Sequence, residues 1–315
     1  MSEKKISDAD LIRLLEDEKK TIEGIAREYK MNARSLHKRR RLLEVKIQKP
    51  LGNIHKNSIS ISKLPGWINL NIRNGTIFIG SDFHIWPGPK STAVRAFIKL
   101  IKKFKPRAVI ANGDVMDFNR ISRYPPIGWT SVPTIREEME AAETVMDEIA
   151  RAAGHARKIW TLGNHDARFE TRLATYAPEY AAVRGTSLKD HFPLWEPCWA
   201  IDINGNIVVK HRFKGGIHAT HNNSLWSGRT TITGHQHSQQ VRPFTDYNGT
   251  RYGVDCGCMA DISSRAFLDY TEANPLNWRA GFIILTICNG FLLTPEMVSV
   301  VDESTVQFRG ELISV

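Results

Sequence analysis

At 315 residues, with 42% hydrophobic and 24% charged side chains, the chain is long enough to bury a large core, and its composition fits neither a disordered nor a fibrous protein. It contains no run of about 18 apolar residues, which excludes a membrane-spanning helix, and the start MSEKKISDADL has no apolar stretch behind its lysines, so a cytoplasmic location is expected. The net charge is +10, and half of it falls in residues 1–50, where 14 Lys/Arg face 9 Asp/Glu; this balance favours a polyanionic partner.

Residues 1–45 read as three helices. Ser7 or Asp8 caps the first, with Leu11, Ile12, Leu14 and Leu15 as its apolar stripe, and Thr21 caps a second carrying Ile22, Ile25, Ala26 and Tyr29. Asn32 caps a third, in which Leu36 and Leu43 face inward while Arg34, His37, Lys38 and Arg41 project outward. The arrangement resembles a small all-α helix-turn-helix DNA-binding domain, with DNA as the expected partner of those four residues. Two positions depart from that pattern: Lys30 stands where glycine is common, and Arg39 where a buried aliphatic residue is usual. A basic three-helix bundle with a solvated charge run is the alternative.

Residues 46–70 hold Pro50, Gly52, Pro65 and Gly66 without sustained periodicity and read as a linker into a second domain, residues 71–315. There TIFIGSD, RAVIANGD and KIWTLGNHD read as strands ending in small and acidic residues. STAVRAFIKLIKKF and TIREEMEAAETVMDEIARAAG between them have helical spacing, so this half is α/β. IDINGNIVVKH, TTITGHQH, RYGVDCGC and GFIILTICNGFLLTPEMVSVV are strand-rich, with Asn204-Gly205 and Asn289-Gly290 as hairpin turns. Cys198, Cys256, Cys258 and Cys288 are too scattered for a disulfide framework and are expected as reduced thiols.

The ligand-type side chains sit at strand ends. Asp82 and His84 follow the first strand, Asp114 and Asp117 the second, Asn164, His165 and Asp166 the third, His211 another, and His235 and His237 follow TTITG. Ligands of α/β sheets gather beyond the carboxyl ends of the strands, so these groups can converge across about 150 residues. Carboxylate, amide and imidazole donors without thiolate suit divalent manganese, iron, zinc or nickel. There are more such donors than one ion uses, which favours a pair of divalent ions that a carboxylate such as Asp114 can bridge.

SDFH, GDVMD, GNHD, a strand-terminal His211 and GHQH occur in the order found in calcineurin-like metallophosphoesterases, and the chain resembles that family over roughly residues 76–260. The stretch from HRFKGG to RYGVD is similar to a subgroup common in bacteriophages and prophages, which would make the cytoplasm that of a bacterial host. The resemblance implies a two-sheet α/β/β/α sandwich. It also implies Asp82, His84 and His237 on one metal, Asn164, His211 and His235 on the other, and Asp114 on both, with a metal-bridging hydroxide attacking phosphorus. By the same likeness His165 stabilises or protonates the leaving oxygen, and Asp166 orients its imidazole. Arg168 either clamps a phosphate oxygen or pairs on the surface.

Asp117 reads as a support or helix cap more than a ligand. His218 and His221 remain alternatives to His211, which is followed by Arg212 where the family has glycine. Lys210, Arg212 and Lys214 form either a basic rim or a solvated loop. Trp195, Trp199, Trp226 and Trp278 are either core or stacking residues. The expected function is a dinuclear-metal phosphoesterase, foremost a DNA phosphodiesterase or nuclease. The alternatives are a phosphomonoesterase of phosphoprotein or nucleotide and a non-catalytic DNA-binding accessory.

Overall fold

The computed structural model describes residues 6–17, 20–47, 51, 66–124, 131–263, 271–272, 274 and 276–315. The chain divides into two units, Met1–Ile61 and Ser62–Val315. Most of the expected linker, residues 48–50 and 52–65, lies outside the described residues.

The first unit holds helices α1 (Asp8–Glu16), α2 (Ile22–Glu28) and α3 (Ala33–Ile47). Ser7 Oγ accepts from Asp10 N–H, Thr21 Oγ1 from Gly24 N–H and Asn32 Oδ1 from Arg34 N–H, so each helix opens on a short polar cap. Leu11, Leu15, Ile22, Ile25, Ala26, Leu36 and Leu43 close a common core, while Ile12 and Leu14 are only partly buried. Two departures from the helix-turn-helix pattern acquire physical reasons. Lys30 takes a left-handed φ of 52° in the turn, the conformation that explains why glycine is common there. Arg39 donates to the Asp8 carboxylate, tying α3 to the start of α1 in place of an apolar contact.

The second unit is a mixed α/β structure with two sheets. One runs in the order β1 (Trp67–Leu70), β6 (Ala200–Ile203), β7 (Ile207–Val209), β8 (Thr230–Thr233), β10 (Gly249–Asp255) and β9 (Gln240–Asp246). The other runs β15 (Glu311–Ser314), β14 (Thr305–Phe308), β13 (Glu296–Asp302), β11 (Gly281–Cys288), β2 (Gly75–Gly80), β3 (Ala108–Ala111), β4 (Arg157–Thr161) and β5 (Glu196–Cys198), with β12 (Phe291–Leu292) beside β11. Trp67–Leu70, read from sequence as the end of the linker, instead forms an edge strand parallel to β6. Asn204-Gly205 and Asn289-Gly290 are turns with positive φ at both residues, as the hairpin reading requires.

Alternation along the strands builds the layers. Ile77, Ile79, Ile110, Ile159, Ile283 and Leu285 meet Ile201, Ile203, Val209, Ile232 and Val254 of the other sheet in one dry core. Their neighbours Phe78, Val109, Trp160, Phe282 and Ile284 point the opposite way, into a second core with helices α4 (Thr92–Phe104) and α5 (Ile135–Ala153). Helix α4 opens on Ser91 and α5 on a Thr134/Glu137 capping box, which fixes where each starts. Helix α6 (Ala167–Tyr176) opens beside Arg168, while α7 (Leu188–His191) and α8 (Ala219–Ser227) escape the sequence reading, the latter against β8, β9 and β10 on the other outer face. All four cysteines are free, three of them buried. Among the described residues no helix is long and apolar enough to cross a membrane.

Candidate metal centre

β2, β3 and β4 are parallel neighbours, so the segments leaving their carboxyl ends lie side by side and brace one another. Asp82 N–H donates to Gly113 C=O and His84 N–H to Asp114 C=O, each at 3.0 Å. β7 and β8 do the same in the other sheet, where Gly234 N–H donates to His211 C=O at 2.8 Å. Asp82, His84, Asp114, His235 and His237 all adopt positive φ. Non-glycine residues tolerate that conformation only where the surroundings over-determine it, and five such residues among the predicted ligands mark a site built at a cost in backbone strain.

Three groups of donor atoms result. Asp82, His84 and His237 converge: His237 Nε2 lies 3.1 Å from Asp82 Oδ1 and 3.3 Å from His84 Nε2. Asp114, His211 and His235 form a second group, with His211 Nε2 3.1 Å from Asp114 Oδ2. His84, Asp117 and His165 form a third. The imidazoles are aimed from behind. His84 Nδ1 is 2.7 Å from Asp117 Oδ1, and His211 Nδ1 is 2.8 Å from Asn112 C=O, so both rings turn Nε2 toward the centre. Of the three histidines competing for one role, His211 joins Asp114 and His235, whereas His218 is exposed at the start of α8 and His221 packs on Phe244.

Asn164 lies between Gly163 and His165, whose N–H donates to Asp114 Oδ1 at 2.9 Å. Its own Oδ1 is buried with no hydrogen-bond partner. An orphaned buried carbonyl costs about 1–3 kcal/mol in a protein alone. A cation would satisfy it, and the oxygen and imidazole donors beside it suit hard to borderline divalent ions.

Asp166 departs from expectation. It does not reach the His165 imidazole; it accepts from the N–H groups of Asp114, Val115 and Gly163 and from the Trp160 indole, pinning the β3 and β4 loops together. The carboxylate beside His165 is Asp117, whose Oδ1 is 3.2 Å from His165 Nδ1 while its Oδ2 accepts from Trp86. Arg168 donates to Asp117 C=O at 2.6 Å and lies 3.4 Å from His165 Nε2. Glu138, which no motif singles out, reaches from α5 to accept from the N–H groups of Asp117 and Phe118. Burial, with Asp117 nearby, pushes its carboxyl up to about 7. Among the tryptophans, Trp195 is buried, Trp199 and Trp226 are exposed, and Trp278 packs on His237.

The calcineurin-like phosphoesterase family model matches residues 75–255, more than half of the chain and the whole span that carries these groups. The chain is a calcineurin-like phosphoesterase. Among solved structures, Pseudomonas putida nuclease MPE is similar at 10% identity and a TM-score of 0.30, over 70% of this chain and 86% of that one. No curated protein matches the chain.

In this phosphoesterase burial opposes charge on Asp82, Asp114, His84 and His211, and neighbouring opposite charges overcome it. Asp117 lifts His84 to about 9, and Asp114 with Asp82 lifts His211 to about 10. His237, His211 and His84 hold Asp82 well below the ordinary carboxylate range. His235 differs, since burial and the His211 charge both lower it. Ligation needs neutral imidazole, so protons on His84 and His211 compete with the metal. Loading of the metal-free protein at pH 7 is therefore expected to release protons. Affinity is expected to climb with pH toward about 9 and to level off above about 10. Calorimetric titration in buffers of different ionisation enthalpy reads the proton count; zero release refutes the charged histidines.

Proposed function

We propose that this phosphoesterase is a dinuclear-metal hydrolase directed at DNA phosphodiesters. Asp82, His84 and His237 would hold one divalent cation and Asn164, His211 and His235 the other, with Asp114 available to both. Support for a pair comes from two separate donor groups, each with its own aspartate and imidazoles. Manganese is the first choice, with iron, zinc or nickel as alternatives for this donor set. Bound there, such ions supply the charge that activates water and neutralises phosphoryl oxygens in an in-line displacement.

The chain's own residues do the remaining work. His165, with Nδ1 against Asp117, protonates the leaving oxygen through Nε2. Arg168, anchored on the Asp117 carbonyl beside that nitrogen, offers its guanidinium to a phosphate oxygen. The convergence of Asp82, His84, Asp114, His211, His235 and His237 carries the hydrolase reading. The DNA reading rests on the helical module of residues 1–45, where Arg34, His37, Lys38 and Arg41 are all exposed along α3, in the manner of a recognition helix. The phage-type resemblance of residues 211–255 belongs to the same proposal.

A matched panel tests it: manganese-loaded full-length protein with an aryl monoester, a cyclic diester, single-stranded DNA and duplex DNA. The diesters of DNA are expected to be hydrolysed ahead of the monoester; the reverse order turns the reading to a phosphomonoesterase, and inertness to all four to an accessory protein. In parallel, Arg34→Ala/Lys38→Ala/Arg41→Ala is expected to weaken duplex retention and to flatten its salt dependence by roughly 0.9 per lost charge. An unchanged salt slope removes the DNA-module assignment.

A further inference from the structure

The chain beyond His211 carries features that the hydrolytic centre does not use. Residues 203–245 contain no aspartate or glutamate, although the whole chain has 33, about one in every ten residues. The stretch includes Lys210, Arg212, Lys214, Arg229 and Arg242, so one continuous run of the enzyme is purely basic. Its first part stays beside the metal centre. Gly216 N–H donates to the side chain of Gln236, the residue between His235 and His237, and Lys214 N–H donates to Asn223 of α8.

Two aromatic rings stand out from this segment. Phe213 is 43% exposed and Trp226, on α8, 69% exposed. A lone exposed aromatic is ordinary, but here one ammonium serves both rings. Lys214 Nζ lies 5.5 Å from the Phe213 centroid and 4.6 Å from that of Trp226, and Lys210 Nζ lies 5.3 Å from Phe213. The rings are therefore within about 10 Å of each other, close enough to take neighbouring bases of one strand. Flat apolar faces interleaved with cations, in a stretch of chain without acids, match a strand of unpaired bases: the bases stack, and the lysines move from ring to phosphate.

The geometry points to a single-stranded DNA platform formed by Lys210, Arg212, Phe213, Lys214 and Trp226, which feeds a strand into the metal centre next to His211. The inference deepens the proposed function and rests on it for the identity of the polymer. Paired bases keep their faces buried in the duplex, so the platform selects unpaired DNA, whereas α3 addresses the duplex.

Fluorescence anisotropy of a labelled 15-nucleotide strand and of a hairpin duplex, with full-length protein in chelator so that no turnover occurs, tests the platform. Phe213→Ala/Trp226→Ala is expected to weaken single-strand binding by roughly 10- to 100-fold, with duplex affinity changed less than about twofold. Trp226→Phe, which keeps a stacking face, is expected to recover most of the loss. Arg212→Ala and Lys214→Ala are each expected to lower the single-strand salt slope by about 0.7. A thermal melt checks folding, and Trp226→Ala alone replaces the double variant if that melts early. Unchanged single-strand affinity in a folded variant, or an equal loss on duplex, overturns the platform.

Wild-type turnover of an aryl phosphodiester with manganese separates the two proposals. Turnover without any single-strand binding overturns the platform and leaves the phosphoesterase. Selective single-strand binding without turnover of any ester overturns the enzymatic reading and leaves the platform.

Discussion

Asp114→Asn is expected to abolish hydrolysis of an aryl phosphodiester in the presence of manganese, lowering kcat by at least about 10³-fold. Asp114 lies between His211 and His165. Its Oδ2 lies 3.1 Å from His211 Nε2 and 3.9 Å from His165 Nε2, while its Oδ1 accepts from His165 N–H. Asparagine preserves volume and an acceptor but removes the negative charge that would sit between two cations. The fold is expected to survive, because the N–H of residue 114 still donates to Asp166. The assay is a steady-state rate together with a metal count per chain. Full activity with two bound ions would falsify the bridging role, and activity with one ion would reduce the centre to a mononuclear one.

Gly163→Ala is expected to weaken metal binding without replacing a donor. A Cβ there would lie 2.0 Å from Asp114 Oδ1 and 2.4 Å from Asp114 N. Rotating the Asp114 side chain relieves the first contact and not the second, because the backbone itself is in the way. The β3 and β4 loops must part, which breaks the hydrogen bonds that N–H groups of both loops donate to Asp166. Overpacking of this kind costs about 1–3 kcal/mol or more, so a lower melting temperature accompanies the loss. Manganese affinity is expected to fall at least roughly 100-fold, read by calorimetry on the folded variant; wild-type affinity contradicts the close approach of the two loops. Gly234 is crowded by side chains instead, with a Cβ that would lie 1.8 Å from Ser81 Oγ and 2.4 Å from Asp82 Oδ2. The glycine before Asn164 and the glycine before His235 are thus part of the metal centre although neither offers a ligand atom.

Much of the architecture was legible because apolar periodicity reports burial. The strands at Ile77–Ile79, Val109–Ala111 and Ile159–Thr161 and the helices α4 and α5 announce themselves by runs and stripes of apolar residues. Helix α8 does not. The residues it buries are Ala219, Thr220, Asn223 and Ser224, small or polar side chains that fit where Gly253 lets the Thr220 carbonyl approach β10. A polar buried face has no hydropathy signal. Trp67–Leu70 was lost for a related reason: a four-residue edge strand beside Gly66 has too little pattern to stand out from a linker.

Within the centre, residue type and strand-end position singled out side chains that the fold brings together, and the order of the motifs identified the family. Which carboxylate serves His165 was a different matter. Asp166 is its chain neighbour and Asp117 is 48 positions away, yet it is Asp117 that lies against the ring. Sequence adjacency favours the wrong partner here because consecutive side chains leaving a strand point in different directions. Glu138 is a second case, an acidic residue on a helix that packing carries under the Asp117 turn.

The sequence by itself determined the chemistry available: donors without thiolate, a basic excess, and apolar runs that commit the chain to an α/β core. Only the tertiary structure decided which donors share a cation-sized space, which carboxylate backs which imidazole, and which aromatic rings stay in solvent. The physical reason is that burial and periodicity are written locally, residue by residue, whereas a site is made of distances between segments. Those distances exist only after two sheets have packed and their loops have been forced together at one edge.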